Sequence, residues 1–97
     1  MLPYEELKQL ILKTARECYR AGIHLAKTDC VLGRIPAQLG TKQDLMSLED
    51  QQCVVVAWHD LFHEGYLVPG YTLDNPDEPF FHLGNPGRFI EEEKGST

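Results

Sequence analysis

The sequence predicts an α+β domain in which helices come first and a β-hairpin follows. Three observations predict it. An apolar stripe recurs at helical spacing over residues 3–21, a capped stretch free of glycine and proline covers residues 51–64, and two β-rich runs flank Asp74-Asn75-Pro76-Asp77-Glu78-Pro79. At 97 residues the chain is one domain's worth, expected to bury only ~60–65% of its unfolded surface. We read residues 1–90 as that domain and residues 91–97 as a solvated acidic tail.

The first element is the plainest. Tyr4, Leu7, Leu10, Ile11, Thr14, Cys18 and Ala21 recur three and four apart, with Glu5, Glu6, Lys8, Lys13, Arg16, Glu17 and Arg20 filling the rest, the pattern of an amphipathic helix. Pro3 suits its first turn, the two glutamates complement its positive end and Gly22 terminates it. Residues 23–46 are punctuated by Gly33, Pro36 and Gly40, too closely for a long element. Ile23-His24-Leu25-Ala26 reads as a short strand and Cys30-Val31-Leu32 as a buried run. A short second helix is expected at Gln43-Asp44-Leu45-Met46.

Ser47 followed by Glu49 and Asp50 is a helix start: a side-chain oxygen to receive early backbone N–H groups, and carboxylates near the positive end. Val54-Val55-Val56 would also suit a strand. The residues on either side, with Gly65 as terminator, favour helix. At ~100° per residue, Val54, Ala57, Trp58, Leu61 and Gly65 share the core face, and Gln52, Val56, His59 and His63 the opposite one. Beyond Gly65, Tyr66-Leu67-Val68 and Tyr71-Thr72-Leu73 lead to the acidic tip, and Pro79-Phe80-Phe81-His82-Leu83 returns. These runs read as a hairpin whose prolines Pro69 and Pro79 limit the sheet. Arg88-Phe89-Ile90 reads as the start of a last helix.

Composition excludes several classes. The apolar fraction of 42% and charged fraction of 25% are those of a globular domain. No apolar run nears the ~20 residues needed to span a bilayer, and the acidic start lacks a signal peptide's layout, so we expect a cytoplasmic protein without membrane partners. Cys18, Cys30 and Cys53 are odd in number and without C-x-x-C spacing, and read as buried reduced thiols. The net charge of −6 is unevenly placed. Residues 1–43 carry seven bases against four acids, and residues 44–97 carry Arg88 and Lys94 against eleven acids.

Val54-x-x-Ala57-Trp58-x-x-Leu61-x-x-x-Gly65-Tyr66-Leu67-Val68 resembles the third helix and first wing strand of the winged helix-turn-helix superfamily. The hairpin, with Leu67-Val68-Pro69-Gly70, Asn75-Pro76 and Pro79-Phe80-Phe81-His82, is similar to wings of bacterial winged-helix modules. The resemblance covers about 40 of the 97 residues. It implies about three helices plus a carboxy-terminal β-hairpin wing, and either nucleic-acid binding by the third helix and wing or protein contacts through the same surfaces.

Base reading needs Arg, Lys, Asn or Gln at exposed positions and basic clamps on phosphates. Gln51 and Gln52 could read bases, but no Lys or Arg occurs from Gln43 to Gly87. The expected surface is therefore Gln51, Gln52, Val55, Val56, His59 and His63 on the helix with Tyr71, Asp74 and Asn75 on the wing, offered to a protein partner or a second copy. Two alternatives stand beside this reading: a DNA-binding transcriptional regulator, in which a dimer or a larger protein supplies the missing charge, and a small acidic inhibitor of the phage type, whose carboxylates imitate phosphates.

His59-Asp60-Leu61-Phe62-His63 has the spacing of H-E-x-x-H, which sets two imidazoles one turn apart to share a metal. Asp60 replaces the required Glu, and only His24, His82 or distant acids remain for a third ligand. No nucleophile sits in a recognisable context and no phosphate-cradling glycine loop occurs. We therefore expect neither an enzyme nor a cofactor or metal, with His63 stabilising the negative helix end and His59 in solvent.

Overall fold

The computed structural model describes residues 1–84. Its order is α1 (Tyr4–Ala21), α2 (Thr28–Leu32), α3 (Ile35–Gln38), a 3₁₀ turn (Gln43–Leu45), α4 (Leu48–His63), β1 (Leu67–Pro69) and β2 (Phe81–Leu83). The class is α+β, with an antiparallel two-stranded sheet pairing Leu67 with Leu83, Val68 with His82 and Pro69 with Phe81. No helix of the described residues is long and apolar enough to cross a membrane. The segments expected at residues 88–90 and 91–97 lie outside the described residues.

The helix α1 follows its apolar stripe. Leu7, Ile11, Thr14, Ala15 and Cys18 are buried, while Tyr4 and Ala21 at its ends are exposed. Gly22 closes it at φ 119°, a conformation that side chains with a Cβ rarely adopt. α4 starts where Ser47 predicts: the Asp50 N–H donates to Ser47 Oγ at 3.0 Å. It ends in a Schellman closure at Gly65 (φ 83°), with the Tyr66 N–H donating to Leu61 O at 2.9 Å and the Gly65 N–H to Phe62 O at 3.1 Å. The triple valine runs as helix because both ends are capped and its inner side is buried.

The core lies between α1, α4 and the hairpin. Trp58 projects from α4 between Phe62 and Phe81, with ring centroids 5.0 and 5.4 Å away in edge-on geometry. Leu7, Ile11, Val31, Ile35, Leu61 and Leu67 complete it, each burial of this kind favouring the fold by ~1.5–3 kcal/mol before entropy is counted. Outside the core, Lys8 Nζ lies 2.8 Å from Glu64 Oε2 and ties α1 to α4.

The linker between α1 and α4 departs from expectation in three places. Residues 22–26 form a turn rather than a strand, Leu25 N–H and Ala26 N–H both donating to Gly22 O. Only its end is extended: Lys27 bridges Phe80, and the Phe81 N–H donates to Ala26 O at 3.1 Å. The buried run at Cys30-Val31-Leu32 is the body of α2, Val31 facing the core. The second helix is therefore α2 with α3, broken at Gly33-Arg34, and residues 43–45 make a single 3₁₀ turn. Glycine, proline and β-branched residues mask a helix of this length in sequence, and tertiary burial of Val31, Ile35 and Pro36 overrides propensity.

The hairpin is shorter than its β-rich composition suggests. Tyr71-Thr72-Leu73 is not a strand; Thr72 bridges Asn75 in a local turn, and Leu73 is 99% exposed at the tip. Gly70 (φ 96°) makes the corner, its N–H donating to Phe80 O at 2.7 Å. His82 Nδ1 lies 2.8 Å from Gly70 O, so the tautomer protonated there fastens the same corner. The thiols also differ from expectation: Cys18 is buried, Cys30 half-buried and Cys53 exposed. Cys53 stands on the outer side of α4, where the apolar character of its neighbours does not mean burial.

Candidate functional site

The outer face of α4 gathers most of the predicted surface. Gln52, Val55, Val56, His59 and His63 are all exposed there, because positions three, four and seven apart fall on one side of a helix. Val55 is 43% and Val56 51% exposed, against 6% for Val54 one step away. Leu48, absent from the sequence-based surface, extends this row at 69% exposure, and Leu45 in the preceding turn is 72% exposed. The signal was present for Leu48, which stands four residues before Gln52 and seven before Val55, the spacing that puts all three on one side of a helix.

Three other predicted residues have different work. Gln51 is half-buried, and its Nε2 donates to Met46 O at 3.1 Å and Gln43 O at 3.3 Å, holding the 3₁₀ turn against α4. Tyr71 turns back to α1, its ring 5.5 Å from that of Tyr19. Asn75 serves the hairpin tip through its backbone, its carbonyl accepting from the Tyr71 N–H at 2.7 Å. Asp74 is exposed on that tip, off the helix face.

Beside the amino-terminal half of α4, its junction with α2, α3 and the 3₁₀ turn leaves a cleft of about 260 Å³. Leu32, Ile35, Pro36, Met46, Val54 and Val55 give it an apolar wall, and among the described residues Asp29 is the one charged residue lining it. Sequence reasoning missed this cleft because it depends on α2 and α3.

Within His59-Asp60-Leu61-Phe62-His63 the carboxylate of Asp60 is engaged by α1. Asp60 accepts a hydrogen bond from the Tyr4 hydroxyl on α1, which stabilises the neutral phenol and pushes the Tyr4 pKa up to about 12, with desolvation and the Asp60 charge adding to the shift. His63 Nδ1 is 4.0 Å from the other Asp60 oxygen, and His59 is exposed. His82, the candidate third ligand, is fastened to Gly70 O. Among the described residues no group of three His, Cys, Asp or Glu comes close enough to hold a metal ion.

Basic side chains near these elements are drawn inward. The Lys8 ammonium is shared between Glu64 and Glu5, and Glu64 above all raises its pKa. Lys27 Nζ sits 5.3 Å above the Phe80 ring. α4 itself and the hairpin from Leu67 to Leu83 contain no Lys or Arg. Comparison with protein-family models, curated proteins and solved structures found no match to this chain.

Proposed function

We propose that the chain is a winged helix-turn-helix domain used as a protein-binding regulatory module, with the outer face of α4 as its contact surface. The element order supports the fold reading: a long helix, an extended bridge at Lys27, a short helix pair, a long capped helix and a hairpin whose second strand pairs with both β1 and the bridge. One observation carries the functional reading. The helix and hairpin that would face a duplex expose Val55, Val56 and Leu48 with Asp74, Asp77 and Glu78, and hold no cation.

Duplex binding draws its affinity from cations that displace condensed counterions; exposed aliphatics draw theirs from burial against a partner. A second copy would bring the same acidic helix and hairpin against this one, so the partner is a different protein and the isolated chain is a monomer. Fluorescence anisotropy with random duplex DNA across a salt series tests the reading. It predicts no submicromolar binding at low salt; submicromolar binding with a steep salt slope would establish the regulator alternative instead. Light scattering after size exclusion should give a monomer mass.

A further inference from the structure

We infer that the cleft beside Val55 is an anchor pocket for an apolar side chain carried on a basic amphipathic helix of the partner protein. The inference rests on the protein-binding reading above and adds the chemistry of the partner.

Size argues for a side chain rather than a free ligand. Small-molecule sites span roughly 300–1,000 Å³, whereas this cleft measures about 260 Å³ and is open to solvent along α4. Its wall is built from rigid pieces. Ile35 and Pro36 are buried and fixed in α3, Val54 is held in the core, and Gln51 clamps the backbone at Met46 and Gln43. A preformed apolar recess next to a row of exposed aliphatics is the arrangement in which one anchor carries most of an interface's energy.

Shape argues for a helix. Leu48, Gln52, Val55 and His59 recur at spacings of four, three and four along an α4 of 16 residues, so they form a ridge about 16 Å long. A partner helix laid along that ridge meets aliphatic Leu48 and Val55 two turns apart, with polar Gln52 and His59 alternating with them. Its anchor enters beside Val55.

Charge fixes the partner's sign. Asp29 lines the cleft, Glu49 and Asp50 stand in the first turn of α4, and Asp44 lies in the 3₁₀ turn. Arg34 and Lys42 adjoin cleft residues in sequence, and neither lines the cleft. A helix with Lys or Arg beside its apolar stripe is therefore attracted and held in register, and an acidic one is repelled.

Calorimetry on the full chain with three synthetic helices tests this: one of Leu and Lys at amphipathic spacing, one with every Leu replaced by Ser at the same charge, and one of Leu and Glu. The Leu/Lys helix alone should bind. Val55→Glu should weaken it at least ~tenfold although the variant is more acidic, since a carboxylate then blocks an apolar recess. Asp29→Asn, at an exposed position, should weaken it about threefold and flatten its salt dependence. Should Val55→Glu misfold, the near-isosteric Val55→Thr replaces it, with a loss of a few-fold expected. Equal binding of the Ser/Lys helix, or indifference to Val55, would reduce the interaction to charge and overturn the pocket. Binding of the Leu/Glu helix, or of none, would overturn the basic partner. These failures leave the protein-binding reading intact, because that reading is tested separately by the duplex titration.

Discussion

Val54 and Val55 are neighbours in one helix, identical in chemistry, and their surroundings are opposite. Val54 is 6% exposed and shares the core with Trp58 and Leu61, while Val55 and Val56 look outward. The inner face of α4 is organised by aromatic stacking with the hairpin, and the outer face by nothing within the described residues. Apolar side chains on the first hold the fold. Those on the second contribute little to stability, which makes them available for binding.

The sharpest way to break this comparison is to remove the centre of the inner face. Trp58→Ala should cost ~3–5 kcal/mol through lost transfer energy and the cavity left between Phe62 and Phe81. That is a large part of the ~5–15 kcal/mol expected for a domain. Urea unfolding followed by circular dichroism should show a steep fall in the unfolding midpoint. A midpoint close to the parent's would mean that α4 is not anchored through its tryptophan.

Next in size is the hairpin corner that presses Phe81 onto Trp58. Gly70→Ala must accept a Cβ at φ 96°, and that atom would overlap the Pro76 carbonyl. A cost of ~2–3 kcal/mol is expected, seen as a fall in thermal midpoint. A change below about 0.5 kcal/mol, the range of surface substitutions, would show that the loop shifts freely and does not support the inner face.

The edges of α4 that touch α1 should show in a pH titration. Tyr4 stays protonated in the folded chain until about pH 12 because Asp60 accepts its hydrogen bond, and the Lys8 pKa is raised chiefly by Glu64. Both groups bind protons more tightly folded than unfolded. Their contributions are therefore complete below the ordinary phenol and ammonium values, 10.0 and 10.5, and are lost as pH rises through the folded values. Stability should hold to about pH 10 and decline beyond it. In ultraviolet titration Tyr4 should ionise only near pH 12, and Asp60→Asn should return it toward 10. A Tyr4 titration unchanged by Asp60→Asn would break the α1–α4 contact.

The capped ends and buried stripe of α4, the whole of α1 and the presence of a hairpin after α4 were legible in the sequence. Each rests on local rules: Ser47 and Gly65 bound a helix whatever surrounds it, and Leu7, Ile11 and Cys18 repeat at a helical period. The short helices α2 and α3 were not, because five and four residues are too few to show a period, and what holds them is contact with distant residues. The site divides the same way. The outer row Gln52, Val56, His59 and His63 follows from helical geometry alone. Gln51 and Tyr71 were misread because their partners, the Met46 carbonyl and the Tyr19 ring, are set by the packing of the 3₁₀ turn and of α1. The cleft depends on the same unreadable linker.

The smallest expected effect is the most direct measure of the difference between the faces. Val56→Ser removes a half-exposed side chain and should change stability by no more than about 0.5 kcal/mol. The cysteines supply a second reading without mutation. Cys53 is exposed on α4, Cys30 is half-buried with its Sγ 3.6 Å from His24 O, and Cys18 lies in the α1 core, where burial pushes its thiol pKa up. Thiolate is the reacting form, so Cys18 is slowed twice, by access and by ionisation. A thiol reagent at neutral pH should modify Cys53 first, Cys30 more slowly and Cys18 only as the chain unfolds. Because Cys53 contributes nothing to the core, its modification should leave the unfolding midpoint unchanged. Rapid reaction at Cys18, or protection of Cys53 in the isolated monomer, would contradict the assignment of inner and outer surfaces on which the binding proposal depends.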